Sequence, residues 1–452
     1  MNALQGRFRA RLAVEWLEDR NLLSLYTFTP IADTDGDLSS FGRAPALNNL
    51  GLVAFTAKNS NGIDNVYTGD GMVRTTIGGP SSSDETLDLY PSVNDSGTAA
   101  FVLRSSQTER IVDGNGGPLT TLYQRGDFGF FSFGPAALNQ SGVVAFWTST
   151  YILSIPEEVM AGDGGEPTRI DRSESFGFTT FGTAPSLNDA GTVAYSYMFR
   201  GPTSENAIKI GAGEKPTTLY SDHGDFFSSF GNPVVNATQT VAFYATLKAG
   251  NTGIFQGDGG PVTIIAKSGG AFTSFGTAPS QNNPGAVAFF ATLRDGRSGI
   301  FTGPNPDGDQ VIRTGDNLLD SQVDELGFFR QGLNDNGQVA FFAHLSNGRS
   351  GIFRADPIGT TFGPQLVGLW ATGEMQPRAL ATSAGADSIP SSTQPSFIRP
   401  ATGGDIGLVS GVASDLQDSP SLMASSSSRD AAVDALFQDA DQGWGWLSIR
   451  TR

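Results

Sequence analysis

The chain has no cysteine. That excludes a disulfide framework, a thiolate nucleophile and any cysteine-based metal site, and leaves export open. Only two histidines are present, His223 and His344, far apart in sequence. A zinc site built on them would need carboxylates for every remaining ligand. Bases are also scarce, 28 Lys and Arg against 45 Asp and Glu, for a formal net charge of −17. A chain of this sign lacks the cationic surface that binds phosphate backbones or anionic lipid, so nucleic acid is not an expected partner. No run approaches the length of apolar residues that spans a bilayer, so no transmembrane helix is expected.

What the sequence has instead is a phrase written seven times. Its skeleton is an Asn, two free positions, a Gly, two more, then Ala and an aromatic. It reads Asn48/Gly51/Ala54/Phe55, Asn94/Gly97/Ala100/Phe101, Asn139/Gly142/Ala145/Phe146 and Asn188/Gly191/Ala194/Tyr195. It returns as Asn282/Gly285/Ala288/Phe289 and Asn334/Gly337/Ala340/Phe341, with a degenerate copy at Asn236/Gln239/Ala242/Phe243. The anchors lie 45 to 52 residues apart, a period that marks an array or a propeller.

Each unit reads as four short strands. An SFGxAPS-like segment precedes the anchor, as at Ser274–Ser280. A β-branched and aromatic run follows it, as at Val241–Leu247, Val287–Leu293 and Val339–Leu345. The third strand is a Gly-Ile-Phe core (Gly253–Phe255, Gly299–Phe301, Gly351–Phe353), and the fourth a run such as Val262–Ile265. Such runs between Gly, Asn and Asp clusters are strand signals. In N-x-x-G the Asn suits the first position of a type I turn and the Gly a left-handed residue closing the hairpin. Copy five puts Gln239 where Gly is expected, so that turn is either strained or differently built. These Asn and Gly residues are read as hairpin formers, not ligand holders.

Alternation along the second strand leaves apolar bulk on both faces: Val241, Phe243, Ala245 and Leu247 on one, Ala242 and Tyr244 on the other. A sandwich leaves one face polar, whereas sheets stacked around an axis bury both. The small residue before each aromatic is positioned to admit a large neighbour from the next sheet. The expected fold is therefore all-β, a β-propeller of seven four-stranded blades. The N-terminal run Tyr26–Ile31 looks like a fourth strand with no blade before it, and it would complete the seventh. Leu366–Glu374 competes for the same place; if it took the slot, an eighth, incomplete blade would close with Ile406–Val409. A six-bladed ring is a further alternative.

The repeat pattern resembles a bacterial tandem-repeat family described by its NxxGxxAF motif, of choice-of-anchor type. The resemblance covers about Tyr26 to Phe353 and implies an exported or cell-envelope protein, with no functional residues to carry over. Leu17-Glu18-Asp19-Arg20-Asn21-Leu22-Leu23 resembles the LEPR-XLL leader of large bacterial surface proteins, with Asp19 where that motif has proline. It too implies export. The organisation is then a leader-like segment (1–24), a repeat body (25–373) and a Ser/Ala/Thr/Pro/Gly-rich tail (374–452) whose composition argues for disorder.

The sharpest polar cluster is Asp33-Thr34-Asp35-Gly36-Asp37. Alternating carboxylates around a Gly resemble an oxygen-rich calcium loop, so Asp33, Asp35 and Asp37 are the candidate metal ligands, with Ca²⁺ the candidate ion. A Gly-Asp pair recurs before the first strand at Gly36-Asp37, Gly126-Asp127, Gly224-Asp225 and Gly315-Asp316. It would either present a rim of carboxylates or cap turns, and the turn is favoured. The Gly-Asp-Gly sets at 69–71, 162–164 and 257–259 lack the helix and Lys of a phosphate loop and read as hairpin turns. No catalytic signature is present. The expected function is an extracellular or cell-envelope binding, adhesion or scaffold module, monomeric, with an unknown protein or glycan ligand. The alternative is a propeller hydrolase or lyase using rim carboxylates and a metal. An enzyme should show non-repeating polar residues converging on the axis; a repetitive binder should show one residue type recurring blade after blade.

Overall fold

The structure, a computed structural model, describes residues 25–126, 131–150, 156–173, 178–182, 184–200, 204–213 and 215–359. The leader-like segment, Asp127, the run Leu366–Glu374, Ile406–Val409 and the tail lie outside the described residues. The body is a seven-bladed, all-β propeller.

Blade 5 shows the plan. Phe227–Phe230 and Val234–Val235 both pair with Val241–Leu247, which pairs with Thr252–Gly257, which pairs with Thr263–Lys267, all antiparallel. The innermost strand is thus broken in two. The break falls at the Gly-x-Pro stretch, where Pro233 cannot donate to the ladder. In most blades the pairing of third and fourth strands carries a bulge, between Ile254 and Phe255 here, which adds twist at the outer edge.

Packing between blades follows the small-then-large rule. Ala54 shares a core with Phe101, Ala100 with Phe146 and Ala145 with Tyr195. Ala194 shares one with Phe243, Ala242 with Phe289, Ala288 with Phe341, and Ala340 with Phe55, which closes the circle. Every one of these alanines is fully buried, and so is each aromatic to within 2%. Burying one such ring contributes about 1.5–3 kcal/mol, so every interface adds a similar increment of stability around the ring.

Closure uses the chain's two ends. Tyr26–Asp33 pairs antiparallel with Ser350–Pro357, from Tyr26 opposite Pro357 to Asp33 opposite Gly351. It is the outermost strand of blade 7, whose order runs inward through Val339–Leu345 and Ser321–Gly327. Pro30 sits opposite Phe353 beside a bulge, on the one edge where a missing N–H is harmless. Asp356 clamps the seam: its Oδ2 accepts from Thr29 Oγ1 at 2.7 Å and its Oδ1 from Arg354 Nε at 2.7 Å. Arg354 Nη1 in turn donates to the blade 1 carbonyl of Gly51 at 2.6 Å.

Candidate functional site

The inner segments and the anchor turns of all seven blades converge on the axis, with a two-residue strand before the anchor in blades 1 to 6 and a single bridge, Leu333 to Val339, in blade 7. They line an open cavity of about 140 Å³, bounded among others by Leu47, Val93, Leu138, Leu187, Val235 and Leu333, the residues just before the anchor Asn. Blade 6 alone puts a polar residue there, Gln281.

The anchors themselves do two jobs. Asn48 Oδ1 accepts from Leu50 N and Leu52 N at 3.0 and 2.8 Å, and Gly51 N donates to Asn48 O at 3.2 Å, which builds the hairpin. Gly51 takes φ +83°, the left-handed conformation the turn demands. The same geometry holds at Gln239, with φ 63° and its N–H donating to Asn236 O at 3.1 Å. So the degenerate turn keeps its shape and places a side chain in the left-handed region.

The second job was not visible in the repeat. Asn48 Nδ2 donates to the carbonyl of Asn94 at 2.9 Å, Asn94 to Asn139, Asn139 to Asn188, and Asn188 to Asn236. Asn282 Nδ2 donates to Asn334 O at 3.0 Å, and Asn334 Nδ2 to Asn48 O at 2.9 Å. A parallel belt joins the next residues: Asn49 N donates to Asp95 Oδ1, Asp95 N to Gln140 Oε1, Gln140 N to Asp189 Oδ1, and Ala237 N to Asn283 Oδ1. Asn283 N donates to Asp335 Oδ1 at 2.8 Å, and Asp335 N to Asn49 Oδ1 at 3.0 Å. Amide side chains thus buckle each blade to the next around the axis.

Against this regular ring, blade 7 departs. Four residues before the anchor, the other blades carry Ala44, Tyr90, Pro135, Ala184, Asn232 and Ala278; blade 7 carries Arg330. Three residues before it, five blades have proline and blade 3 has Ala136, while blade 7 has Gln331. Arg330 and Gln331 both line the cavity. Arg330 is only 4% exposed. Its Nη1 has no hydrogen-bond partner, and its guanidinium lies 5.8 Å from the Phe329 ring centroid. Burial pulls its pKa down to about 10, against the opposing pull of the Asp88 carboxylate, so it stays cationic at neutral pH. Asp88 is itself committed to Arg104 Nη1 at 3.0 Å. Gln281, 7% exposed, has an unpartnered Oε1, and its Nε2 reaches only Thr240 O at 3.4 Å.

The three aspartates named from the sequence lie away from this cavity, on the connection from the closing strand into blade 1. Asp33 Oδ2 accepts from Arg349 Nη2 at 2.8 Å, and Asp35 Oδ2 lies 2.9 Å from Arg349 Nε. Asp37 takes Arg74 Nη2 at 2.6 Å, which holds its carboxyl below the ordinary range. Among the described residues no three His, Asp or Glu side chains form a metal-ligand group. Of the other Gly-Asp pairs, Asp316 caps a turn, accepting Arg313 N at 3.0 Å and Gln310 Nε2 at 2.6 Å. Asp225 is exposed, and Asp127 lies outside the described residues. The Gly-Asp-Gly sets are hairpin turns: Asp70 Oδ1 accepts Met72 N and Val73 N at 2.8 Å, with Gly71 at φ +97°.

A family of unknown function (DUF7453) has a model that matches residues 156–359. No curated protein matches the chain. Among solved structures it is similar to one from a study of two prolyl endopeptidases, at 13% identity and TM-score 0.47, covering 75% of this chain and 51% of that one. It is similar to a puromycin-hydrolyzing peptidase of Mycobacterium tuberculosis, at 12% identity and TM-score 0.46, covering 74% of this chain and 55% of that one. The propeller domain of Cps50 (Swd1) from Myceliophteria thermophila matches at 11% identity and TM-score 0.41, covering 70% of this chain and 97% of that domain. The chain thus spans about half the length of the two peptidases.

Proposed function

We propose that the chain is a ligand-binding propeller whose site is the axial cavity, and that it works outside the cell or in its envelope. One observation carries the site: Gln281, Arg330 and Gln331 stand at positions that, Asn232 of blade 5 apart, are apolar or proline in the other blades, and all three line the same cavity. The Leu and Val ring before the anchors lies among a larger set of amide, guanidinium and carboxylate side chains, so the site is a concave, mainly polar one whose hydrogen-bonding groups converge on the axis. The lining favours holding over transforming. Its hydroxyl, Ser186 Oγ, accepts Val235 N at 3.1 Å, and its carboxylates Asp189 and Asp335 hold backbone N–H groups. The export component rests on the resemblance of residues 17–23 and of the repeat.

A thermal-shift screen of small polar metabolites against the full chain and against Leu187→Phe, which fills the cavity, tests the site. Compounds that raise the melting temperature of the wild type and not of the filled variant support it. Compounds that stabilise both equally place binding elsewhere and overturn it.

A further inference from the structure

The cavity holds one buried cation and one buried acceptor whose bonds are unfinished. Natural structures leave few buried polar atoms unpaired, and each one calls for a partner that completes it. Arg330 Nη1 and Gln281 Oε1 are two such atoms, from adjacent blades, and both residues line the axial cavity. The Gln281 position does not need a polar residue, since blades 1, 3, 4 and 7 carry Leu47, Leu138, Leu187 and Leu333 there. Counted back from the anchor, Arg330 stands where blades 1, 4 and 6 carry Ala44, Ala184 and Ala278, but in a turn of its own in which Gly332 N donates to Phe329 O at 2.9 Å. Burying a guanidinium without a finished partner is costly, and an apolar residue of similar volume is the more stable choice at such a site.

Resting on the axial-site reading above, we infer that the cavity recognises a small carboxylate that also carries a neutral hydrogen-bond donor, an α-hydroxy acid being the simplest form. The carboxylate completes the Arg330 guanidinium, whose planar fork matches two carboxylate oxygens. The donor completes Gln281 Oε1. The apolar ring formed by the residues before the anchors receives the rest of the molecule. A cavity of about 150 Å³ accepts benzene, and this one is about 140 Å³, so a compound of roughly six non-hydrogen atoms fits within it. The net charge of −17 opposes the approach of any anion. Binding is therefore carried by the buried contacts, and salt should leave it level or strengthen it.

The test is calorimetric titration of the full chain with lactate, propionate and inorganic phosphate. Arg330→Met keeps the volume and Arg330→Ala introduces the residue that three other blades carry there, so both are expected to fold; circular dichroism checks this. Lactate should bind the wild type and lose about a hundredfold in affinity in either variant, since one partner of a buried charged hydrogen bond is gone. Propionate, which lacks the donor, should bind about tenfold more weakly than lactate, and Gln281→Leu should abolish that difference. The assignment is overturned if lactate produces no heat with folded wild type, if the Arg330 variants bind it unchanged, or if phosphate binds as tightly as lactate. Should lactate fail while the metabolite screen still yields ligands lost in Leu187→Phe, the axial site stands and the carboxylate assignment alone falls.

Discussion

At the scale of single residues, the anchor Asn shows why a turn motif says less than it contains. Its Oδ1 shapes the hairpin, and the sequence shows that plainly through the Gly three residues on. Its Nδ2 points to another blade some 46 residues away, and nothing in one repeat reveals that end of the amide. The two roles separate by substitution. In Asn188→Asp the acceptor for Thr192 N survives, but the donor to Asn236 O is replaced by an oxygen. A loss of about 1–3 kcal/mol is expected in urea unfolding, the cost of unpairing a buried group; an unchanged midpoint would dissolve the clasp. Gln239→Gly runs the other way. Residue 239 sits at φ 63° with an exposed side chain, so glycine relieves a left-handed Cβ clash and should stabilise by about 1 kcal/mol. A destabilised variant would mean that the Gln239 side chain contributes more than its backbone costs. The aspartates at 33, 35 and 37 make the reverse point. Their spacing is local, but the guanidinium that Asp33 holds comes from Arg349, 316 residues away. Calorimetry with Ca²⁺ on wild type and Asp35→Ala should give equal traces if Arg349 is the lasting partner of Asp33 and Asp35, and a signal lost in the variant if calcium displaces it.

At the scale of elements, the four-strand unit and its turns were legible because each strand repeats its chemistry seven times. The split of the innermost strand was not, since proline and the bulge act on pairing geometry that a hydrophobic pattern does not record. Arg330 was visible all along as a break in register, but its meaning required seeing that this one stretch of every blade faces the axis. The closing strand has its own electrostatic signature. Burial pushes the Asp356 carboxyl up, yet bonds from Arg354, Thr29 and Gln338 outweigh that and leave its pKa below the usual 3.8. A depressed carboxyl contributes stability that is complete above its unfolded value and is lost as pH falls through the folded one. Melting temperature should therefore stay level down to about pH 4 and drop below it. Asp356→Asn should be less stable at pH 7 and show a shallower acid loss; parallel curves for the two proteins would remove Asp356 from the seam.

At the scale of the whole molecule, seven Ala-to-aromatic interfaces, two belts of side-chain hydrogen bonds and one borrowed strand make a ring with no free junction between blades. Removing residues 25–33 should open blade 7 at its outer edge, expose Ser350–Pro357 as an unpaired strand and favour edge-to-edge association. Size-exclusion chromatography should show oligomers and a lowered melting temperature; a monomer of unchanged stability would mean that closure rests on the inner belts alone. The borrowed strand also sets a clock. Thr29 and Asp356 are 327 residues apart in the chain. At synthesis rates of about 5–20 residues per second, the first strand waits roughly 15–65 s before its partner exists. Until then six blades can stack but the circle cannot shut, so the final edge and the waiting strand are exposed together at the moment the chain is most open to proteases and chaperones.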